Sequence, residues 1–339
     1  MPFLFSAFSL SMDHDTKLLI SVVIGILVLA SIVGAVLART VKSEAAQKTV
    51  ANLNARTRSW WVMSGVFCAT LLLGPVFTTV LFAFISFLAM REFITLNKTE
   101  RADHEVLFWA FFVILPLHYF LVGIRWYGLF TIFIPVYAFA FIPFRRVLTG
   151  ETKGFLAGTA RIQWALLVCV YAVSHMPMLL ALPLKGYEGQ NAKLLCFFVL
   201  TVQLSDVLQY VWGKTCGRRH IAPHVSPSKT VEGTVGGIAT TVAISTCLWW
   251  ATPFAPWQAA LMALLICSAG FFGGLVMSAI KRDLGAKDWG ASIAGHGGFM
   301  DRIDSLCFAA PLFFHLCAFY FGTGMDPAPP AWLLHWLGK

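Results

Sequence analysis

Residues Ser278 to Ser305 read SAIKRDLGAKDWGASIAGHGGFMDRIDS and lie between two apolar runs, Leu261–Met277 and Leu306–Phe321. The stretch holds four cations (Lys281, Arg282, Lys287, Arg302), four acids (Asp283, Asp288, Asp301, Asp304), a histidine and a glycine pair. Asp301 and Asp304 are three apart at the start of an apolar run. On a helix they share a face and can point at one cation or at one metal-bound phosphate. Carboxylates without a Cys/His cluster suit a hard, oxygen-seeking ion such as Mg2+ better than Zn2+. Lysines and arginines beside such carboxylates serve phosphoryl or nucleotidyl transfer, in which metal and cations offset phosphate charge and the protein mainly positions the reactants. Gly295, Gly297 and Gly298 flank His296, a pattern that suggests close backbone approach to a ligand. His296 can hydrogen-bond a phosphate or move a proton. Lys281 and Arg282 also have a plainer reading, as cationic anchors at a membrane face.

A second polar stretch runs from Gln203 to Gly237, QLSDVLQYVWGKTCGRRHIAPHVSPSKTVEGTVGG. Asp206 falls inside the apolar run 194–212, about two turns from its end. An acid at that depth is costly and pairs with a cation, a metal or a neighbouring helix. Lys214, Arg218 and Arg219 follow. Ser228 or Thr230 can cap the next helix with Glu232 in its first turn, which leaves Lys229 free to aim at an anion near a helix N-terminus.

The elements that must position these groups are membrane helices. The chain has 339 residues, 58% hydrophobic and 12% charged, where a soluble domain carries about 25% charged residues. The fold class is therefore an all-α polytopic transmembrane bundle. Apolar runs of roughly 15–22 residues predict about ten spans near 18–38, 61–74, 76–90, 106–122, 127–144, 162–184, 194–212, 235–252, 258–277 and 305–322. Nine result if the second and third are one kinked segment across Gly74-Pro75. With ten, twenty of the 25 Lys and Arg fall on one side. The positive-inside rule makes that side cytoplasmic, carrying both polar stretches, with both termini outside. The net charge of +9 then reflects topology, and nucleic acid is not an expected partner. A transporter would bury its charges near midplane in broken helices, whereas these gather at one face. The eight cysteines form no CxxC pair and read as small buried residues. The N-terminus lacks the basic region of a signal peptide. Organisation is expected as one integral unit, with plain N-terminal helices over 1–190 and a catalytic region over 191–339.

The run S-A-I-K-R-D-x3-K-D-x-G…H-G-G-F-x-D-R-I-D-S resembles the signature of the CDP-diacylglycerol synthases, or phosphatidate cytidylyltransferases. The upstream S-D…W-G-K…S-P-S-K-T-V-E-G is similar to that family's second motif. The resemblance covers about the last 40% of the chain. It implies transfer of CMP from CTP to phosphatidate, giving CDP-diacylglycerol and pyrophosphate, at a multi-pass, bacterial-inner-membrane type of enzyme that is often dimeric. It implies Mg2+, with a monovalent cation such as K+ as an auxiliary. Asp301 becomes the leading metal ligand, with Ser278, Asp288 and Asp304 near it. Lys281, Lys287, Asp288 and His296 join Asp301 as catalytic positions. Arg282, Arg302, Gly297, Gly298, Lys229, Lys214, Glu232 and Asp206 become substrate-binding positions. The family commonly reads Gly-Asp-x-x-Glu-Ser before the Lys-Arg pair, with that Asp a metal ligand. In this chain the register reads Gly273-Gly274-Leu-Val-Met277-Ser278, so Gly274 replaces the carboxylate. That departure leaves another lipid phosphate, or an inactive relative, as the alternative.

Overall fold

The computed structural model describes residues 14–41, 43–293 and 297–324. His296 lies outside the described residues. Ten main helices follow one another: α1 (His14–Thr40), α2 (Glu44–Leu73), α3 (Pro75–Leu96), α4 (Arg101–Gly123), α5 (Tyr127–Val147), α6 (Phe155–Ala181), α7 (Asn191–Cys216), α8 (Val231–Cys247), α9 (Pro256–Asp283) and α10 (Met300–Phe321). Eight are long and apolar enough to cross a membrane. The chain is a multi-pass membrane protein with an all-α bundle.

The two that fall short do so for readable reasons. α2 starts with the polar sequence EAAQKTVANLNARTRS, so only its second half is apolar. α8 has 17 residues, about 26 Å at 1.5 Å per residue, short of a ~30 Å hydrocarbon core. The expected break at Gly74-Pro75 is present. Gly74 takes φ 109° and Pro75 opens α3 at a position that needs no N–H. The rings of Phe67 and Phe82 meet at 6.4 Å across this turn, so α2 and α3 form a hairpin and not one kinked rod.

Three of the middle helices contain π-helical turns, at Ala110–Ile114, Phe133–Ala138 and Leu166–Ala172. Polar groups in this buried layer bond to one another, as bilayer burial requires: Ser86 Oγ lies 2.6 Å from Tyr119 Oη and His118 Nε2 lies 2.8 Å from Ser174 Oγ. At one end of α4 and α5, buried Asp103 and Arg146 pair at 3.1 Å. A side chain at Gly158 would strike both.

α7 and α8 pack backbone to backbone. A Cβ on Gly233 would stand 2.8 Å from Gly213 Cα, and one on Gly237 would stand 2.5 Å from the Gln209 amide nitrogen. Small residues permit that approach, and Thr201–Ser245 and Trp212–Thr240 contacts at 3.0 and 3.1 Å hold it. The connection between them contains a two-stranded antiparallel hairpin, β1 (His220–Ala222) with β2 (Ser226–Thr230), which the apolar periodicity did not announce. α8, α9 and α10 then return so that β2, the end of α9 and the start of α10 meet. All eight cysteines are free; Cys216 and Cys247 are exposed, Cys68 is half-buried and the rest are buried.

Candidate active site

The 278–305 stretch is only partly loop. Ser278, Lys281 and Arg282 lie on the last turns of α9, and Asp301, Arg302 and Asp304 lie on the first turns of α10. The intervening segment returns on itself through a bridge in which the Ile293 N–H donates to the Gly297 carbonyl at 2.8 Å.

Asp301 is the hub of this turn. Its Oδ1 accepts from Lys281 Nζ at 2.7 Å, and its Oδ2 accepts from the backbone N–H groups of Trp289 at 2.8 Å and Gly298 at 3.0 Å. Lys281 and Asp301 are both buried. Asp301 thus joins the end of α9, the middle of the connecting segment and its own helix.

Asp304, one turn on, faces elsewhere. It stands among Lys281, Lys229 and Asp206, and its Oδ1 accepts from the Ser305 N–H at 2.8 Å. Asp206 on α7 is half-buried, like Asp304, and close enough to it for the two charges to repel. Lys229 reaches in from β2. Its ammonium lies 4.7 Å from the centre of the Phe271 ring and 3.5 Å from the Phe271 carbonyl. Burial pulls the Lys229 ammonium below the usual lysine value, and the carboxylates of Asp206 and Asp304 oppose that shift. Arg302 is half-buried with Asp206 nearby, and its Nε–H is buried without a partner. An orphaned guanidinium donor beside charged side chains suits a phosphate oxygen. Ser278 Oγ donates to the Gly274 carbonyl at 2.7 Å, which leaves its lone pairs available. Lys287 and Asp288 are exposed on the connecting segment.

Asp301, Asp304, Ser278 and Asp288 do not converge as one cage. Among the described residues no group of three His, Cys, Asp or Glu side chains has the arrangement to hold a metal. The reason is division of labour: Asp301 is taken up by three donors, Asp288 is exposed, and Asp304 shares Ser305 as a neighbour with Asp206. Two partly exposed carboxylates beside serine hydroxyls fit one hard ion completed by phosphate oxygens. They do not fit a carboxylate-rich site that keeps an ion by itself.

The upstream residues mainly build the connection. Thr230 Oγ1 accepts from the Gly233 N–H at 3.1 Å and caps α8. Glu232 Oε2 accepts from the backbone N–H groups of Arg218 at 2.9 Å and Arg219 at 3.1 Å. These donors hold its carboxyl down to about 2. Arg282 stitches the two polar stretches together, donating to the Val225 carbonyl at 3.3 Å and the Ala286 carbonyl at 2.9 Å. Lys214 is exposed at the end of α7, 5.9 Å from the Tyr210 ring centre.

Sequence reasoning missed Glu92. It sits near the end of α3 and is buried. Its Oε1 accepts from Ser292 Oγ at 2.7 Å and its Oε2 accepts from the Met300 N–H at 2.9 Å. A Cβ on Gly290 would stand 2.9 Å from Oε1, and one on Gly298 would overlap Oε2. Gly297 has φ 79°, and a Cβ there would stand 2.7 Å from Asp301 Oδ2. The close approach inferred for the glycine pair is thus made to two carboxylates of the chain itself. The available signal was an acid embedded in the apolar run of α3.

The chain matches the model of the cytidylyltransferase family over residues 54–320. It is 43% identical over 263 residues to the uncharacterized protein YnbB of Escherichia coli, covering 77% of this chain and 85% of that one. It is 37% identical over 130 residues to a phosphatidate cytidylyltransferase of Staphylococcus saprophyticus, covering 37% of this chain and 50% of that one. With a phosphatidate cytidylyltransferase of Synechocystis the figures are 35% over 153 residues, 41% and 51%. The chain spans about half the length of these two relatives. The family match takes in Glu92 as well as Asp206, Lys229 and Asp301, so both halves of the bundle fall within it, and the chain belongs to the cytidylyltransferase family as a membrane nucleotidyltransferase.

Proposed function

We propose that the protein is a phosphatidate cytidylyltransferase, which joins CTP and phosphatidate to give CDP-diacylglycerol and pyrophosphate. The observation that carries this reading is the convergence of Asp206, Asp304, Lys229, Lys281 and Arg302 where α7, β2, α9 and α10 meet. The cluster holds both signs of charge, as a metal-nucleotide substrate requires, and it lies toward the ends of membrane helices, where a lipid phosphate is presented.

A lipid phosphate oxygen forms a bond to the α-phosphorus of CTP. The bond from that phosphorus to the bridging oxygen of the β-phosphate breaks, and pyrophosphate leaves with the electron pair. A phosphate monoester dianion is already a competent nucleophile, so no side chain must take a proton from it. Mg2+, when bound, offsets charge on the phosphate oxygens. Asp206 and Asp304 are the residues that would hold it, and K+ is a candidate auxiliary ion. Arg302 offers its free Nε–H to a phosphate oxygen, and exposed Lys287 meets the nucleotide from the connecting segment. Asp301 and Lys281 fix the start of α10 so that Asp304 and Arg302 stay aimed at the reactants. His296 is a candidate phosphate contact. The polar connections face the cytoplasm in this reading, where CTP is available; the cationic excess counted for ten spans supports that orientation.

Purified protein in detergent, given labelled CTP, phosphatidate and Mg2+, should form labelled CDP-diacylglycerol. Absence of product beside a working family enzyme overturns the reading. Gly274 favours one specific second reading, a different lipid phosphate such as a polyprenyl phosphate. The same assay with that acceptor separates the two.

A further inference from the structure

The absence of a side chain at Gly274 has a definite neighbour. A Cβ built there would stand 3.0 Å from Lys229 Nζ and 3.5 Å from Ser305 Oγ. The Lys229 ammonium therefore lies directly over the α9 backbone, in space that any larger residue at 274 would claim. Gly274 is buried, and so is Met277 on the next turn, so α9 offers this ammonium no carboxylate from either position. Its polar contact among the described residues is the Phe271 carbonyl at 3.5 Å, with the Phe271 ring at 4.7 Å. The acids whose charges reach it come from the other two helices, Asp206 from α7 and Asp304 from α10, beyond the ~4 Å of a direct ion pair, while Lys281 of α9 adds a like charge. Ser305 Oγ donates to Asp304 Oδ1 at 3.5 Å and also bonds Asp206, so one hydroxyl stands between the two carboxylates, and two carboxylates this near at such depth require a compensating cation.

We infer that Lys229 is the resident counter-cation of the Asp206–Asp304 pair, seated over Gly274, and that it must swing aside before a divalent ion can occupy the pair. The inference rests on the reading of these two acids as the metal-binding carboxylates. Its consequence is that the substrate-free protein binds divalent ions weakly. The ion arrives with the nucleotide, whose phosphates draw the ammonium away from its seat over Gly274 and complete the ion's oxygen shell. Gly274 is then a working part of the site, because it makes room for the ammonium.

The test is Mn2+ binding to the full-length protein in detergent, with no nucleotide or lipid, read by the loss of the free Mn2+ paramagnetic signal. Wild type should bind weakly. Lys229→Met should bind one Mn2+ at least about ten-fold more tightly, the effect expected when one unit charge leaves the neighbourhood of the acids. The double variant Lys229→Met/Asp206→Asn should lose that gain. Gly274→Ala keeps every charge and only displaces the ammonium, and it should move Mn2+ affinity in the same direction. This variant carries the test if Lys229→Met does not elute as a monodisperse species. Equal Mn2+ affinity in wild type and in a folded Lys229→Met or Gly274→Ala protein overturns the inference. Tight nucleotide-free binding by wild type overturns it as well. Neither measurement uses CTP turnover, so a negative cytidylyltransferase assay leaves this result standing or falling by itself.

Discussion

The Glu92 carboxylate accepts a hydrogen bond from the Met300 backbone N–H at 2.9 Å, across 208 positions of sequence. With Ser292 on its other oxygen, Glu92 fixes both ends of the turn that carries the glycine pair, and it does so from the N-terminal half of the bundle. Glu92→Ala should therefore unlock residues 284–299 without dismantling the helices. Hydrogen exchange in that segment should rise, and transferase turnover should fall by about 5- to 150-fold, corresponding to the roughly 1–3 kcal/mol cost of leaving buried donors unpaired. Unchanged exchange there would remove Glu92 from the positioning of the turn. Gly298→Ala, which brings a methyl group onto the same carboxylate, should behave alike.

Asp301 and Lys281 form a buried pair at 2.7 Å. Removing one partner strands the other, which costs on the order of 3–5 kcal/mol. Asp301→Ala should lower the melting temperature and abolish turnover. Lys281→Met/Asp301→Ala should melt higher than Asp301→Ala alone while staying inactive. A double variant that melts no higher would mean that stranded Lys281 charge is not what destabilises the single variant.

Asp304 and Asp206 are expected to affect chemistry more than folding. Asp304→Asn and Asp206→Asn should keep a near-normal melting temperature and lose at least about 100-fold in kcat, the scale seen when a group that stabilises transition-state charge is removed. Partial recovery at raised Mg2+ would identify the lost function as ion binding. Full activity in either variant would exclude that acid from the site.

Glu232 should matter through the connection between α7 and α8. Its carboxyl is held down to about 2 by the amides of Arg218 and Arg219. The folded value is depressed, so the stabilisation is present above the ordinary glutamate range and is lost only as pH falls toward about 2. At neutral pH the contact is complete. Glu232→Gln should accelerate tryptic cleavage after Arg218 and Arg219 at pH 7.5 and raise KM for CTP more than it lowers kcat. Equal cleavage rates would show that the turn is held by other contacts.

Most of the bundle was legible because hydropathy reports directly on which residues meet lipid. The Gly74-Pro75 turn was legible because a positive-φ glycine followed by a proline ends one helix and begins another. Thr230 was one of the two caps expected for α8, and the pattern that singled it out was local. Asp301 and Asp304 illustrate what spacing cannot give. Three residues apart predicts a shared face, but the carboxylates part company: Asp301 is claimed by Lys281 and Trp289 from other segments, and Asp304 by Ser305 on its own helix. Glu92 was silent for the same reason: its partners lie at 292 and 300, and nothing near position 92 names them. Gly274 was readable as a departure from a pattern, yet only the packing shows that the ammonium of Lys229 stands in the space it leaves.

The contact between Glu92 and its two donors also sets an order of events during synthesis. α3 leaves the ribosome about two hundred residues before Ser292 exists. Until then its buried carboxyl lacks the groups that satisfy it in the finished bundle, so α3 cannot reach its final seat in the bilayer when it is first inserted. Completion of the N-terminal half waits on the C-terminal half. A chain cut before residue 292 should expose α3 to membrane quality control, and supplying the missing helices as a separate polypeptide should rescue it.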